Sequence, residues 1–191
     1  MKTQIVAFKG NGFIFKTLSF FLGILSPRWR KLEWKPWHLA PVVGWQKGSP
    51  IIFEHRPPHN LVGFRTVYPE EDCLIYTLPK SIDAKTLAGF LDKRLNKRYD
   101  VAAYLRTAAQ YFVLHVFNHS IPRVLDERFT CWELTFEFAR ASGQPLQECC
   151  GKTLSAYPMI TDFLAAMESL GVTGKKLNTK GKTDGKKYFG A

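Results

Sequence analysis

The chain has too few cysteines, in the wrong arrangement, for a disulfide framework. There are four, and Cys149 and Cys150 are adjacent. The simplest inference is a reducing compartment, or at least free thiols. An apolar run long enough to span a bilayer is also missing. The strongest run, Phe13 to Leu25, is interrupted by Lys16. A signal peptide needs a longer apolar core and a small-residue cleavage site, which Ser26-Pro27-Arg28-Trp29 does not provide. The spacing predicts a packed amphipathic helix instead, with Ile14, Leu18, Phe21, Leu22 and Leu25 on one face. Attachment to a membrane surface through this helix, helped by Arg28, Arg30 and Lys31, is the lesser alternative.

The usual cofactor and metal signatures are equally scarce. Gly10-x-Gly12 is too short for a nucleotide loop, and no Lys-Ser/Thr follows it. His115 and His119 share a helix face but lack the Glu of H-E-x-x-H. Cys149-Cys150 has no C-x-x-C partner, and His55 and His59 flank two prolines on an exposed turn. No cofactor and no metal are expected.

Acidic residues are outnumbered, 16 against 27 Lys and Arg, for a net charge of +11. The excess is confined to the ends. Residues 1–35 carry +6, residues 174–191 carry +5, and residues 36–173 hold fourteen charges of each sign. The Gly-, Lys- and Thr-rich stretch from Gly174 to Ala191 predicts a flexible basic tail on a domain spanning 1–173. Such ends either touch a polyanion, such as nucleic acid, anionic lipid or wall polymer, or only aid solubility. The body, in a chain 46% hydrophobic and 14% aromatic, suits one globular domain with a sizeable core.

The body contains a candidate nucleophile. Thr130-Cys131-Trp132-Glu133 is a capping box, which makes Thr130 the N-cap and Cys131 the first residue of a helix ended by Gly143 and Pro145. A cysteine there lies beside free backbone N–H groups at the positive end of the helix dipole. Both favour the reactive thiolate, and the N–H groups can receive an oxyanion. The alternative is a buried cysteine that packs as a small hydrophobe.

Upstream, Trp37 to Trp45, Ile51 to His55, Val62 to Val67 and Cys73 to Leu78 predict a small antiparallel sheet. His38 begins one strand and Glu54 lies near the end of the next, so the two can be neighbours. A carboxylate beside an imidazole fixes its tautomer and stabilises the imidazolium. Cysteine, histidine and an orienting group are the set that acyl transfer by a thiolate requires.

These residues, in this order, resemble the circularly permuted, NlpC-like branch of the papain-fold cysteine peptidases and amidases, including the YiiX-like proteins. The resemblance rests on Ile5-Val6-Ala7-Phe8 with Gly10 and Gly12, then Phe13 to Leu25 and His38. It continues through Ile51-Ile52-Phe53-Glu54, Tyr99-Asp100 and Cys131-Trp132-Glu133-Leu134, and covers roughly residues 3 to 142. In ordinary papain-like enzymes the cysteine precedes the histidine; in this branch, as here, it follows. Two positions depart from the branch's pattern: Trp37 precedes the histidine, and Trp132 follows the cysteine, where its ring is expected at the mouth of the cleft.

The resemblance implies an α+β domain with a papain-like core, a Cys131 helix packed on the sheet that carries His38. It implies hydrolysis at an amide or ester carbonyl, with Cys131 as nucleophile, His38 as base and acid, and Glu54 as orienter. Bacterial cell-wall peptide is the leading substrate, with acylated lipid or a small amide next. Phage-encoded proteins occur in the branch, and with neither a signal peptide nor a disulfide framework read in the sequence, a cytoplasmic or virion-associated location is expected. The alternatives are a catalytically silent structural or virion protein of the same fold that uses its basic ends for contacts, and a nucleic-acid binder.

Overall fold

The computed structural model describes residues 1–10, 16, 19–20, 23–24, 27–56, 61–68, 70–97, 113, 131–145 and 160–177. It is an α+β fold. The strands are β1 (Lys2–Lys9), β2 (Pro36–Gln46), β3 (Ser49–Arg56), β4 (Leu61–Thr66), β5 (Cys73–Ser81) and β6 (Lys175–Lys176). The helices among the described residues are α1 (Pro27–Lys31), α2 (Ala84–Arg94), α3 (Cys131–Ala141) and α4 (Ile160–Ser169). One sheet holds all six strands in the order β4-β3-β2-β1-β5-β6, and every neighbouring pair is antiparallel.

β1 is central because its residues suit burial on both faces. Ile5, Val6 and Ala7 are all 0% exposed, so the strand reads as a continuous apolar run rather than an alternation. On one face Ile5, Ala7, Leu39, Leu74 and Tyr76 join Cys131, Trp132 and Phe136 of α3 and Phe163, Leu164 and Met167 of α4. On the other, Val6, Ala40, Val42 and Ile52 cluster with Val67, Cys73 and Ile75. A third cluster locks α2 and α3 to β3 through Phe53, Phe90, Leu134 and Phe138.

Local chemistry sets the ends of the elements. The β2–β3 hairpin turns at Lys47 and Gly48, both at positive φ (50° and 80°), as a two-residue hairpin loop requires. Ser81 closes β5 and Asp83 is the N-cap of α2, accepting the Thr86 N–H at 2.9 Å. α3 ends as predicted at Gly143, whose φ of 71° lets Gly143 N–H reach the Arg140 carbonyl and Gln144 N–H reach that of Ala139. Gly171 ends α4 in the same way.

The tail begins later than the predicted boundary at 174. Lys175 and Lys176 pair with Ile75 and Leu74 on the sheet edge, and Leu177 packs on the second cluster. The entry to β6 depends on Gly174, where a Cβ would lie 2.8 Å from the Tyr76 ring. Residues 178–191 lie outside the described residues. So do most of the helix expected over Phe13–Leu25, of which residues 16, 19, 20, 23 and 24 are helical, and also Tyr99-Asp100, Thr130, His115, His119, Cys149 and Cys150. Among the described residues no helix is long and apolar enough to cross a membrane.

Candidate functional site

The sheet and α3 meet at the start of β2. α3 packs against β2 and β3, which brings its first residue, Cys131, to the end of the sheet that carries His38. The two elements are tied directly: the Trp132 indole N–H donates to the Trp37 carbonyl at 3.3 Å. The residue after the cysteine thus holds the residue before the histidine. Trp132 is only 3% exposed and sits in the core, not at the mouth of a cleft as expected. Its apolar ring belongs to the same core cluster as Ala7, Leu39 and Phe136, and the Trp37 carbonyl satisfies its one polar atom.

His38 and Glu54 come together as the sequence predicts. Nε2 of His38 donates to Oε2 of Glu54 at 2.6 Å. The imidazole is also hydrogen-bonded to the Cys131 side chain. With Nε2 given to Glu54, Nδ1 is the nitrogen left for the sulfur. Burial opposes the imidazolium, but the charge and hydrogen bond of Cys131, and then those of Glu54, outweigh it. The His38 pKa rises from 6.5 to about 10. A pKa raised that far keeps His38 as the imidazolium, beside Cys131, through neutral pH.

Arg65 is the residue that sequence reasoning missed. It sits opposite Ile52 on β4, diagonal to Glu54, whose direct partner is Gly63. Its Nε donates to Oε1 of Glu54, and its Nη1 donates to Oε1 of Glu71 at 2.5 Å. Glu71 is itself fixed by the Tyr68 backbone N–H at 2.6 Å. Burial would raise the Glu54 pKa, but His38 and Arg65 together hold it below its usual range. The Phe8 ring touches both ends of this chain, with its centroid 5.8 Å from that of His38 and 5.2 Å from the Arg65 guanidinium carbon. The available signal was one arginine within a strand of small and apolar residues, one pleat from the position facing Glu54.

Cys131 is 1% exposed. Its carbonyl accepts the Thr135 hydroxyl at 2.8 Å, which anchors the first turn of α3. Glu133, the acid of the predicted capping box, is buried in that same turn. Among the described residues no group of three or more His, Cys, Asp or Glu is placed to hold a metal ion. Comparison with known family profiles, characterised proteins and solved structures finds no match to this chain.

Proposed function

We propose that the protein is a thiol-dependent hydrolase with a permuted, NlpC-like arrangement of the papain fold, in which Cys131 forms the acyl-enzyme. The observation that carries this reading is the single imidazole of His38, hydrogen-bonded to a thiol at the start of a helix and to a buried carboxylate.

In the proposed reaction the residues act in the following order. The Cys131 thiolate attacks the carbonyl carbon of an amide or ester, and the oxyanion lies against the N–H groups at the start of α3. The His38 imidazolium gives its proton to the departing amine or alkoxide, which leaves a thioester on Cys131. Neutral His38 then takes a proton from water as the water attacks the thioester, and the thiolate departs beside the restored imidazolium. Glu54 stabilises that imidazolium and fixes its tautomer. Arg65 acts through Glu54 and is a positioning residue. Side chains and water suffice for these steps. The family resemblance favours bacterial cell-wall peptide as the substrate, with acylated lipid or a small amide next.

A silent structural or virion protein of the same fold is the second reading, favoured by the burial of Cys131. Incubation with an activated ester or a thiol-directed acylating probe, followed by peptide mapping, separates the two. The hydrolase places the acyl group on Cys131 and loses it in Cys131→Ala and His38→Ala. Acylation elsewhere, or none with the fold intact, favours the silent protein.

A further inference from the structure

The neutral charge balance of the domain body conceals a local excess of positive charge. Between α2 and α3 lies a groove of about 560 Å3, lined among others by Lys85, Gly89, Lys93, Arg94, Glu137 and Arg140. Arg94 and Glu137 neutralise each other across it, with Nη2 2.6 Å and Nε 2.7 Å from the same carboxylate oxygen. Lys85, Lys93 and Arg140 remain, exposed and with no carboxylate partner among the described residues.

The placement is regular. Lys85, Gly89 and Lys93 recur every four residues and so share one face of α2. The two lysines are about 12 Å apart along the helix axis, within reach of each other's ammonium through a ligand bound between them. Gly89 stands at the midpoint. A glycine inside a helix costs roughly 1 kcal/mol against alanine, and no packing requires it here, since a Cβ would meet nothing within 4 Å. Its effect is to leave open space between two cations. Arg140 faces the same space from α3 with a planar, forked donor.

We propose that this groove is a binding site for a compact, multiply charged phosphate ligand, an oligophosphate seated over Gly89 and held by Lys85, Lys93 and Arg140. Three cations converging from two helices match several anionic oxygens packed into a small volume, whereas one planar carboxylate would leave most of them unmatched. The site is distinct from the thiol: Arg140 lies nine residues beyond Cys131 on α3, about 14 Å along the axis. It does not depend on the hydrolase reading.

Isothermal titration of the full chain with inorganic tripolyphosphate, orthophosphate and a single-stranded oligonucleotide tests the site. The proposal expects tripolyphosphate to bind at least about tenfold tighter than orthophosphate. Lys93→Gln/Arg140→Gln should weaken it about tenfold or more. Gly89→Glu, which replaces glycine by a better helix former, should do the same without loss of thermal stability. A control pair in the basic end, Lys180→Gln/Lys182→Gln, should leave the tripolyphosphate affinity within about twofold. Unchanged affinity in both groove variants would overturn the proposal. So would equal loss in the control pair, or a groove-dependent loss larger for the oligonucleotide than for tripolyphosphate, which would assign the groove to a polymer.

Discussion

Cys73 and Cys131 are equally hidden, each 1% exposed, yet their neighbours differ in sign. Cys73 starts β5 beside Glu71 and Asp72. Burial, then those two carboxylates, push its pKa up to about 12. Cys131 starts α3 beside an imidazole whose proton is held, against burial, first by the charge and hydrogen bond of the cysteine itself and then by those of Glu54. Burial alone therefore does not decide what a cysteine does. The deciding quantity is the charge that the fold sets next to the sulfur: two carboxylates beside Cys73, an imidazole beside Cys131.

The largest expected contrast is in the thiols themselves. Cys131→Ala should abolish hydrolysis and acyl-probe labelling while the chain stays folded. Cys73→Ala should leave activity within about twofold and cost on the order of 1 kcal/mol of stability, read by urea unfolding. Next comes the imidazole. His38→Ala should lower the rate by roughly 10²- to 10⁴-fold, because both proton transfers pass through it.

A smaller and more diagnostic effect belongs to Glu54. Its charge raises the His38 pKa, so activity should persist to well above pH 6.5 and fall as the imidazolium is lost near the raised value of about 10. Glu54→Gln should move that alkaline limb to lower pH, which a general loss of packing would not do. The same carboxyl couples to stability. Its folded pKa lies below 4.5, so its contribution is present above about pH 4.5 and is lost as pH falls through the depressed folded value. Thermal melts between pH 6 and 3 should show this loss in the parent chain and a weaker dependence in Glu54→Gln. Removing Arg65 should cost on the order of 3 kcal/mol, since it leaves Glu54 buried with one partner fewer.

The smallest expected effect is at the C-terminal end. Deleting residues 178–191 should leave the melting temperature within a few degrees. Deleting from Gly174 should cost more, because it strips Lys175 and Lys176 from the edge of β5 and uncovers Tyr76 and Leu74. Equal effects would mean that β6 adds nothing to the sheet.

The parts of this site legible in the sequence were those with local signatures. The capping box placed Cys131 at a helix start, and the strand pattern put His38 at the start of one strand and Glu54 near the end of the next. Arg65 was hidden because its role is set by the register between β3 and β4, which no local motif encodes. Trp132 was read as exposed because its position after the nucleophile is local, whereas its burial depends on how α3 leans on β2. The start of β6 was read as tail because two lysines beside a glycine look solvated. Their pairing with β5 depends on the close approach of Gly174 to Tyr76.

The most direct test is the alkylation rate of Cys131 relative to Cys73 in the same molecule, followed by iodoacetamide and peptide mapping from pH 5 to 11. The two thiols are equally buried, so their ratio reports chemistry rather than access. The account predicts that Cys131 reacts at neutral pH at least about tenfold faster, that His38→Ala removes most of this advantage, and that Cys73 gains rate only toward its raised pKa of about 12. Identical pH profiles for the two cysteines, or an advantage of Cys131 that survives His38→Ala, would contradict it.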